Sequence, residues 1–174
     1  GDLSKIDLPS FANLLIIQEF SKNPDAYNLS TFLYRKNGKW YCSSWDYNLA
    51  YDNYIFTEPT VDFYKNILLT IGSLSQGWVL SHNGGMRNWY TNLLKQKAFN
   101  DVLGDQWTKL VALNPQKILL STIASLNKNA VETDCVIWNG TDDLTIVQYA
   151  TQVLQKFVTA RLEWMDKNIH TLEK

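Results

Sequence analysis

The stretch from Asn23 to Asn53 constrains the fold more strongly than any other part of this 174-residue chain. Residues Ser30 to Tyr34 are β-branched and aromatic with the alternation typical of a strand, and Trp40 to Cys42 has the same character. Asn37 and Gly38 lie between these runs, and this pair favours a two-residue turn because both residues tolerate positive φ. The stretch therefore predicts a β-hairpin.

Two acidic residues flank the predicted hairpin. Asp25 precedes the first strand and Asp46 follows the second, and a hairpin holds its two ends side by side. We therefore expect the two carboxylates to converge, an arrangement that binds Mg²⁺ or positions a proton acceptor. The structural alternative is that Asp25 is a turn residue after Pro24 and that Asp46 is an ordinary loop carboxylate.

Several segments resemble the C-terminal part of the CotH (spore coat protein H) kinase family. They are Asn23 to Tyr34, the turn Lys36 to Lys39, the run Trp45 to Ala50, and Arg161 to Ile169 near the end of the chain. The predicted helix from Ser10 to Asn23 is similar to the segment that precedes them in the family. The resemblance covers most of the chain, and these segments are its specific parts.

The resemblance implies a fold, an activity and a set of site residues. The family fold resembles an atypical protein kinase, and family members transfer phosphate from ATP to Ser residues of proteins. The resemblance implies that Asp25 is the catalytic residue, which accepts or orients the proton of the acceptor hydroxyl. It implies that Asp46 and Asn48 are metal ligands, with Mg²⁺ and ATP as cofactors and a protein substrate as partner.

This sequence departs from the family pattern around the second acid. The family usually has Gly-Pro just ahead of the Trp-Asp pair, where this chain has Ser43 and Ser44, and a second Asp at the position of Asn48. Some members also have an Asn ligand near the position of Ser30, and this chain lacks it. An amide oxygen ligates a metal without adding charge, so we expect Mg²⁺ to bind more weakly here.

These departures favour an alternative function, a non-catalytic cell-surface module on the same fold. Such a module would bind carbohydrate or another protein through exposed aromatic side chains. The candidates are Tyr27, Trp45, Tyr47, Tyr51 and Tyr54.

The resemblance also bears on domain organisation and location. Kinase chemistry needs a loop that covers the phosphates and a Lys paired with a Glu. We expect both in an N-terminal half outside this chain, so that residues 1–174 are a single domain or a fragment that is inactive alone. Family members are often secreted, envelope-bound or spore-coat proteins, which implies an extracellular or cell-envelope location in a bacterium.

Composition narrows the function classes. A net charge of −1 and the lack of a basic run argue against a nucleic-acid surface. No apolar run reaches the length of about 18 residues that a membrane-spanning helix needs. For Cys42 and Cys135, a disulfide and two free buried thiols both remain open. His82 lacks a nearby His or Cys and is predicted to be solvated rather than a zinc ligand.

Helical periodicity accounts for most of the remaining chain, so the predicted fold class is α+β, mostly helical with a small antiparallel β-hairpin. The predicted helices are Ser10 to Asn23, Val61 to Ile71, Met86 to Gln96, Lys97 to Leu113, Pro115 to Asn127, and a last helix of about 25 residues or more capped by Thr141. In the fifth of these, Ile118, Leu119, Ile123 and Leu126 are predicted to face inward. The first helix is predicted to have Asp7 or Ser10 as its cap, and its wide apolar stripe predicts that much of its surface is buried. Asp134 to Gly140 is predicted to be a loop.

Two charged residues lie within apolar helical patterns. Glu19 is expected to be exposed or ion-paired, since carboxylates are rarely buried alone. Arg161 is expected to keep its guanidinium in water while its stem packs. The alternative is that Arg161 pairs with a carboxylate near the hairpin.

Overall fold

The computed structural model describes residues 2–51, 60–81 and 87–173, which form a mostly helical α+β fold with a two-stranded antiparallel sheet. The helices and strands are α1 (Leu8–Ser21), β1 (Thr31–Lys36), β2 (Lys39–Ser44), α2 (Val61–Leu74), α3 (Arg87–Leu93), α4 (Lys97–Ala112), α5 (Pro115–Ala124), α6 (Lys128–Asn139) and α7 (Thr145–Asn168). Short 3-10 helices lie at Leu3–Lys5, Val79–Ser81 and Ile169–Glu173.

The predicted hairpin is confirmed. Strands β1 and β2 pair antiparallel, with Tyr34 opposite Tyr41 and Lys36 opposite Lys39. The turn residues Asn37 and Gly38 have φ values of 50° and 80°, as a tight two-residue turn requires. Both strands extend to the turn itself, beyond the alternating pattern, because ladder pairing includes the charged residues next to it.

Helix α1 lies at the centre of the fold. The Asp7 side chain caps it by accepting a hydrogen bond from the Ser10 amide at 2.9 Å, and Pro9 lies in the first turn, where no intrahelical donor is lost. The helix starts after Asp7, one of the two predicted caps, and ends two residues earlier than predicted, because Lys22 already adopts a left-handed conformation ahead of Pro24. It packs against α4, α7 and β2, so most of its surface is buried, as its wide apolar stripe predicted.

Two apolar clusters form the core. The larger one surrounds α1 and includes Phe99 and Leu103 from α4 and Met165 from α7. The smaller one lies between α2 and α7, around Ile67 and Phe157. Helix α7 contributes to both clusters, so it joins α2 to the rest of the molecule.

The predicted loop from Asp134 to Gly140 is wrong, because these residues complete helix α6. The Asn127 side chain caps this helix by accepting a hydrogen bond from the Ala130 amide at 3.1 Å. Gly140, with φ of 68°, is the left-handed residue that ends the helix rather than part of a longer loop.

Two further predictions are wrong in detail. Helix α7 starts at Thr145 rather than after Thr141, whose hydroxyl instead accepts a hydrogen bond from the Asp143 amide in a preceding turn. The side chains of Ile118, on α5, and Leu126, just after it, are 50% and 58% exposed, because α7 is the one described element that α5 contacts extensively. The two cysteines are buried thiols that are not joined by a disulfide.

Candidate functional site

Ser30 joins the two acidic segments. Its amide donates to the carbonyl of Asp25 at 3.3 Å, and its hydroxyl donates to the carbonyl of Asp46 at 3.1 Å. The Trp45 amide donates in turn to the Ser30 carbonyl at 3.3 Å. Since Ser30 is only 2% exposed, one buried serine holds the backbones of both predicted site residues at the same end of the hairpin.

The segment that carries Asp25 is a compact turn. The Asn23 side-chain oxygen accepts a hydrogen bond from the Asp25 amide at 3.1 Å, which is an Asx turn. The Asp25 carbonyl accepts from the amides of Asn28, Leu29 and Ser30 at 3.0 to 3.3 Å. Asp25 is therefore a turn residue, as the alternative interpretation predicted for its backbone. Its carboxylate is half-buried and takes no part in the hydrogen bonds of the turn.

Asp46 lies on the surface just after β2. Its φ of 53° is left-handed, a conformation that non-glycine residues adopt uncommonly but Asp adopts more readily than most. Asn48, two residues later, is also exposed. In the described ranges, no group of three or more His, Cys, Asp and Glu side chains is placed to hold a metal ion.

The chemistry of the donor set nevertheless fits Mg²⁺. A carboxylate and an amide are hard oxygen donors, and Mg²⁺ usually keeps several waters and takes one or two protein carboxylates. Asp46 and Asn48 would be the protein ligands, and their exposure leaves room for water and phosphate oxygens. The assignment of Asp25, Asp46 and Asn48 to these roles stays a prediction.

A buried charge network lies next to this site. Glu19 is fully buried in α1, and its Oε1 accepts hydrogen bonds from the Tyr27 hydroxyl and the Leu80 amide, both at 2.7 Å. Its Oε2 accepts from the Val79 amide at 2.7 Å. Burial raises the pKa of Glu19, while the Tyr27 hydroxyl, the two amides and nearby Arg161 oppose that shift.

Arg161 is the cation of this network. Its guanidinium donates to the carbonyls of Glu19 at 2.6 and 2.9 Å, Ser75 at 2.8 Å and Gly77 at 2.7 Å. Its Nη2 lies 3.5 Å from the Glu19 carboxylate. The expectation of a solvated guanidinium was wrong, because Arg161 is fully buried, whereas the ion-paired expectation for Glu19 is confirmed.

Two aromatic rings complete the surroundings of Arg161. The guanidinium carbon lies 4.8 Å from the ring centre of Trp164 and 5.4 Å from that of Trp78. Ring faces attract cations, which offsets part of the cost of removing the guanidinium from water. The sequence signal for this network was a Glu and an Arg that each lie within an apolar helical stripe.

Most of the aromatic side chains predicted to form a binding surface are not exposed. Among its described members, Trp45 is exposed, at 64%, whereas Tyr27 is buried and Tyr47 and Tyr51 are half-buried. Tyr54 lies outside the described residues, as does His82. Burial of the tyrosine rings in the core explains the difference, since aromatic side chains remove large areas from water.

Comparison with known proteins identifies one family. The family described as CotH kinase protein matches residues 3–165, a range that includes both acidic segments and Arg161. The chain matches no curated protein and no solved structure. In the part of the chain that the structure describes, none of the helices has the length and apolar character needed to cross a membrane.

Proposed function

Since the chain belongs to the CotH kinase family, we propose that it forms the metal-binding and proton-accepting part of a kinase-like phosphotransferase. The observation that carries the proposal is the pair of Ser30 hydrogen bonds, to the backbones of Asp25 and Asp46. Two carboxylate-bearing residues thereby lie at one end of one hairpin. The proposed substrate is the hydroxyl of a protein Ser, and the proposed phosphoryl donor is ATP.

The proposed roles follow from the chemistry of phosphoryl transfer. Bound Mg²⁺ would neutralise charge on the phosphate oxygens. Asp46 and Asn48 hold that ion, and the exposed position of both leaves space for a nucleotide. Asp25 orients the acceptor hydroxyl and accepts its proton as the oxygen attacks phosphorus.

A kinase needs further parts that we propose to lie elsewhere. The phosphate-covering loop and the Lys–Glu pair are both required for transfer. Glu19 does not act as the Glu of that pair, because its buried carboxylate is engaged by Tyr27 and two backbone amides and lies beside Arg161. We therefore propose that the 174-residue chain alone does not transfer phosphate.

The test uses the protein in its longest natural form with ATP and Mg²⁺. We expect Mg²⁺-dependent nucleotide binding by calorimetry and transfer of the γ-phosphate to Ser-containing acceptor peptides. Asp46→Asn is expected to abolish both, whereas Asp25→Asn is expected to abolish transfer and to retain binding. Asp105→Asn, an exposed carboxylate on α4, is the matched control and should behave as the wild type.

Absence of both nucleotide binding and transfer in the wild-type protein would contradict the proposal. So would an Asp46→Asn variant that binds Mg²⁺ and ATP as tightly as Asp105→Asn.

We also propose that the protein is extracellular or belongs to the cell envelope. Fractionation of the source cells should then recover the protein outside the cytoplasm.

One observation favours a second candidate, a carbohydrate- or protein-binding module. Trp45 is 64% exposed and meets the ring of Phe32, 53% exposed, edge-to-face at 5.8 Å between ring centres. Such a pair offers a stacking surface for a sugar ring. Binding on a glycan array that survives Asp46→Ala and removal of Mg²⁺, but not Trp45→Ala, would support the module over the kinase.

A further inference from the structure

Tyr27 is a buried residue in an unusual conformation, two positions after Asp25. It is 1% exposed and has a φ of 67°, and bulky side chains rarely adopt positive φ. Residues in such conformations persist only where surrounding contacts over-determine them. The contacts of Tyr27 therefore decide the path of the turn that carries Asp25.

The strongest of these contacts is the hydrogen bond from the Tyr27 hydroxyl to Oε1 of Glu19, at 2.7 Å. A hydrogen bond from a hydroxyl to a carboxylate is among the stronger kinds in proteins. The Tyr27 ring also packs edge-on against Tyr90, with 5.4 Å between ring centres. The ring contact fixes the plane of the side chain, and the hydroxyl contact fixes how far it reaches into the core.

Glu19 is itself fully buried and hydrogen-bonded at both carboxylate oxygens. Its two oxygens accept the amides of Val79 and Leu80 as well as the Tyr27 hydroxyl. Its backbone carbonyl accepts two bonds from Arg161, which also binds the carbonyls of the segment before Val79. The carboxylate and carbonyl of Glu19, together with Arg161, thus tie helix α1 to helix α7 and to the segment from Ser75 to Leu80, and Tyr27 links the Asp25 turn to the carboxylate.

We propose that Glu19 and Tyr27 are positioning residues that set the orientation of Asp25. This inference rests on the proposed function. In that reaction the acceptor hydroxyl gives its proton to the Asp25 carboxylate, its oxygen bonds to the γ-phosphorus, and the bond from that phosphorus to the bridging oxygen breaks, releasing ADP. The Tyr27 link acts directly on the turn that carries Asp25, whereas Asp46 lies in the segment after β2 and is joined to that turn through Ser30.

Tyr27→Phe tests the inference, with Tyr90→Phe as the matched control. Both substitutions remove one buried hydroxyl from touching rings, but the Tyr90 hydroxyl donates to the Phe11 carbonyl and does not contact Glu19. Amide hydrogen exchange would be followed at Asn28, Leu29 and Ser30, whose amides bind the Asp25 carbonyl. We expect exchange there to be roughly tenfold or more faster in Tyr27→Phe than in Tyr90→Phe, since bonds to charged groups are the stronger ones.

Kinetics of the longest natural form supply the second measurement. Tyr27→Phe is expected to lower kcat by roughly tenfold or more and to change the KM for Mg-ATP far less, because the metal ligands follow β2 and meet the Asp25 turn only through Ser30. Tyr90→Phe should retain both constants. A loss of function that came only from general destabilisation would affect both variants alike.

The two measurements separate failure of this inference from failure of the proposed function. Equal exchange in the two variants would overturn the positioning role, whatever the activity. Faster exchange in Tyr27→Phe, in a wild-type protein that neither binds nor transfers phosphate, would overturn the proposed function and the catalytic part of the inference together. Faster exchange with an unchanged kcat would overturn the inference alone.

Discussion

At the scale of single residues, Arg161 shows how a buried charge is accommodated. Its guanidinium donates to three backbone carbonyls, lies near the Glu19 carboxylate and is covered by two Trp rings. Every partner carries negative charge or partial negative charge, which offsets the cost of leaving water. The carbonyl partners also tie the segment from Ser75 to Gly77 to helix α7.

Arg161→Met is therefore expected to be strongly destabilising. Removing one member of a buried ion pair leaves the other without compensation and costs about 3–5 kcal/mol in the free energy of unfolding. The measurement is the urea midpoint at neutral pH, with Arg35→Met as the control because Arg35 is exposed on β1. Arg35→Met should stay within about 0.5 kcal/mol of the wild type. A similar midpoint for both variants would show that the network contributes little.

Asn48→Asp tests the predicted metal site at the same scale. The substitution adds a carboxylate two residues after Asp46, so the attraction for Mg²⁺ should increase by about 1 kcal/mol or more. Calorimetric titration with Mg²⁺ is expected to show a severalfold tighter site in Asn48→Asp and none in Asp46→Asn. Unchanged affinity in Asn48→Asp would mean that residue 48 is not a ligand.

At the scale of elements, helix α1 and its cap hold the hairpin at two residues of β2 and at the end opposite the turn. The Asp7 amide donates to the Trp40 carbonyl at 2.8 Å, and the Ser10 hydroxyl accepts from the Cys42 amide at 3.3 Å. Further along, the Gln18 side chain donates to the Ser30 carbonyl at 3.1 Å. A two-stranded hairpin is marginal on its own, so its stability here depends on this helix.

Two glycines are expected to respond in opposite ways to substitution by Ala, because one lies in the hairpin turn and the other inside a helix. Gly38 has a φ of 80° in the hairpin turn, so Gly38→Ala should cost about 1 kcal/mol through backbone strain alone, since no atom lies within 4 Å of the added methyl group. Gly104 lies inside α4 and is equally open, so Gly104→Ala should stabilise by roughly 0.5–1 kcal/mol. The urea denaturation midpoint should therefore fall in Gly38→Ala and rise in Gly104→Ala. A stabilising Gly38→Ala would contradict the turn.

At the scale of the whole molecule, the core contains several phenol groups and a thiol. Burial raises the pKa of Tyr27, Tyr51 and Tyr90 above their ordinary value near 10. Burial likewise raises the pKa of the Cys42 thiol to about 12. These groups stay protonated in the folded protein at pH values where the unfolded chain loses protons.

The protein is therefore expected to lose stability in alkali. A raised folded pKa contributes stability that is present below the unfolded pKa, about 8.5 for Cys and about 10 for Tyr, and that is lost as pH rises toward the folded value. Urea midpoints should fall between about pH 8.5 and 10.5. The fall should be shallower in Tyr90→Phe than in the wild type, because that variant removes one of the buried phenols. An equal slope in Tyr90→Phe and the wild type would contradict this account.

Local chemistry was enough to predict much of this protein. The Asn37-Gly38 turn and the Asp7 cap of α1 depend on residues close together in the chain, and both are confirmed. Helical periodicity likewise predicted α1 to α5 and α7, with ends that differ by a few residues. The family was also recognisable from local motifs, including the two acids at the ends of the hairpin. The errors at this level were α6, part of which was predicted to be a loop, and the start of α7, where Thr141 was assigned as the cap.

Tertiary structure alone decided which polar groups are buried and what they contact. The Arg161 guanidinium meets the Glu19 carbonyl from a position 142 residues away, and the Tyr27 ring packs edge-on against Tyr90 of helix α3. Periodicity reports that a side chain lies on an apolar stripe, but it carries no information on which distant donor or acceptor lies opposite. Burial of a charge depends on that partner, so the network behind the Asp25 turn became visible only once the helices were packed.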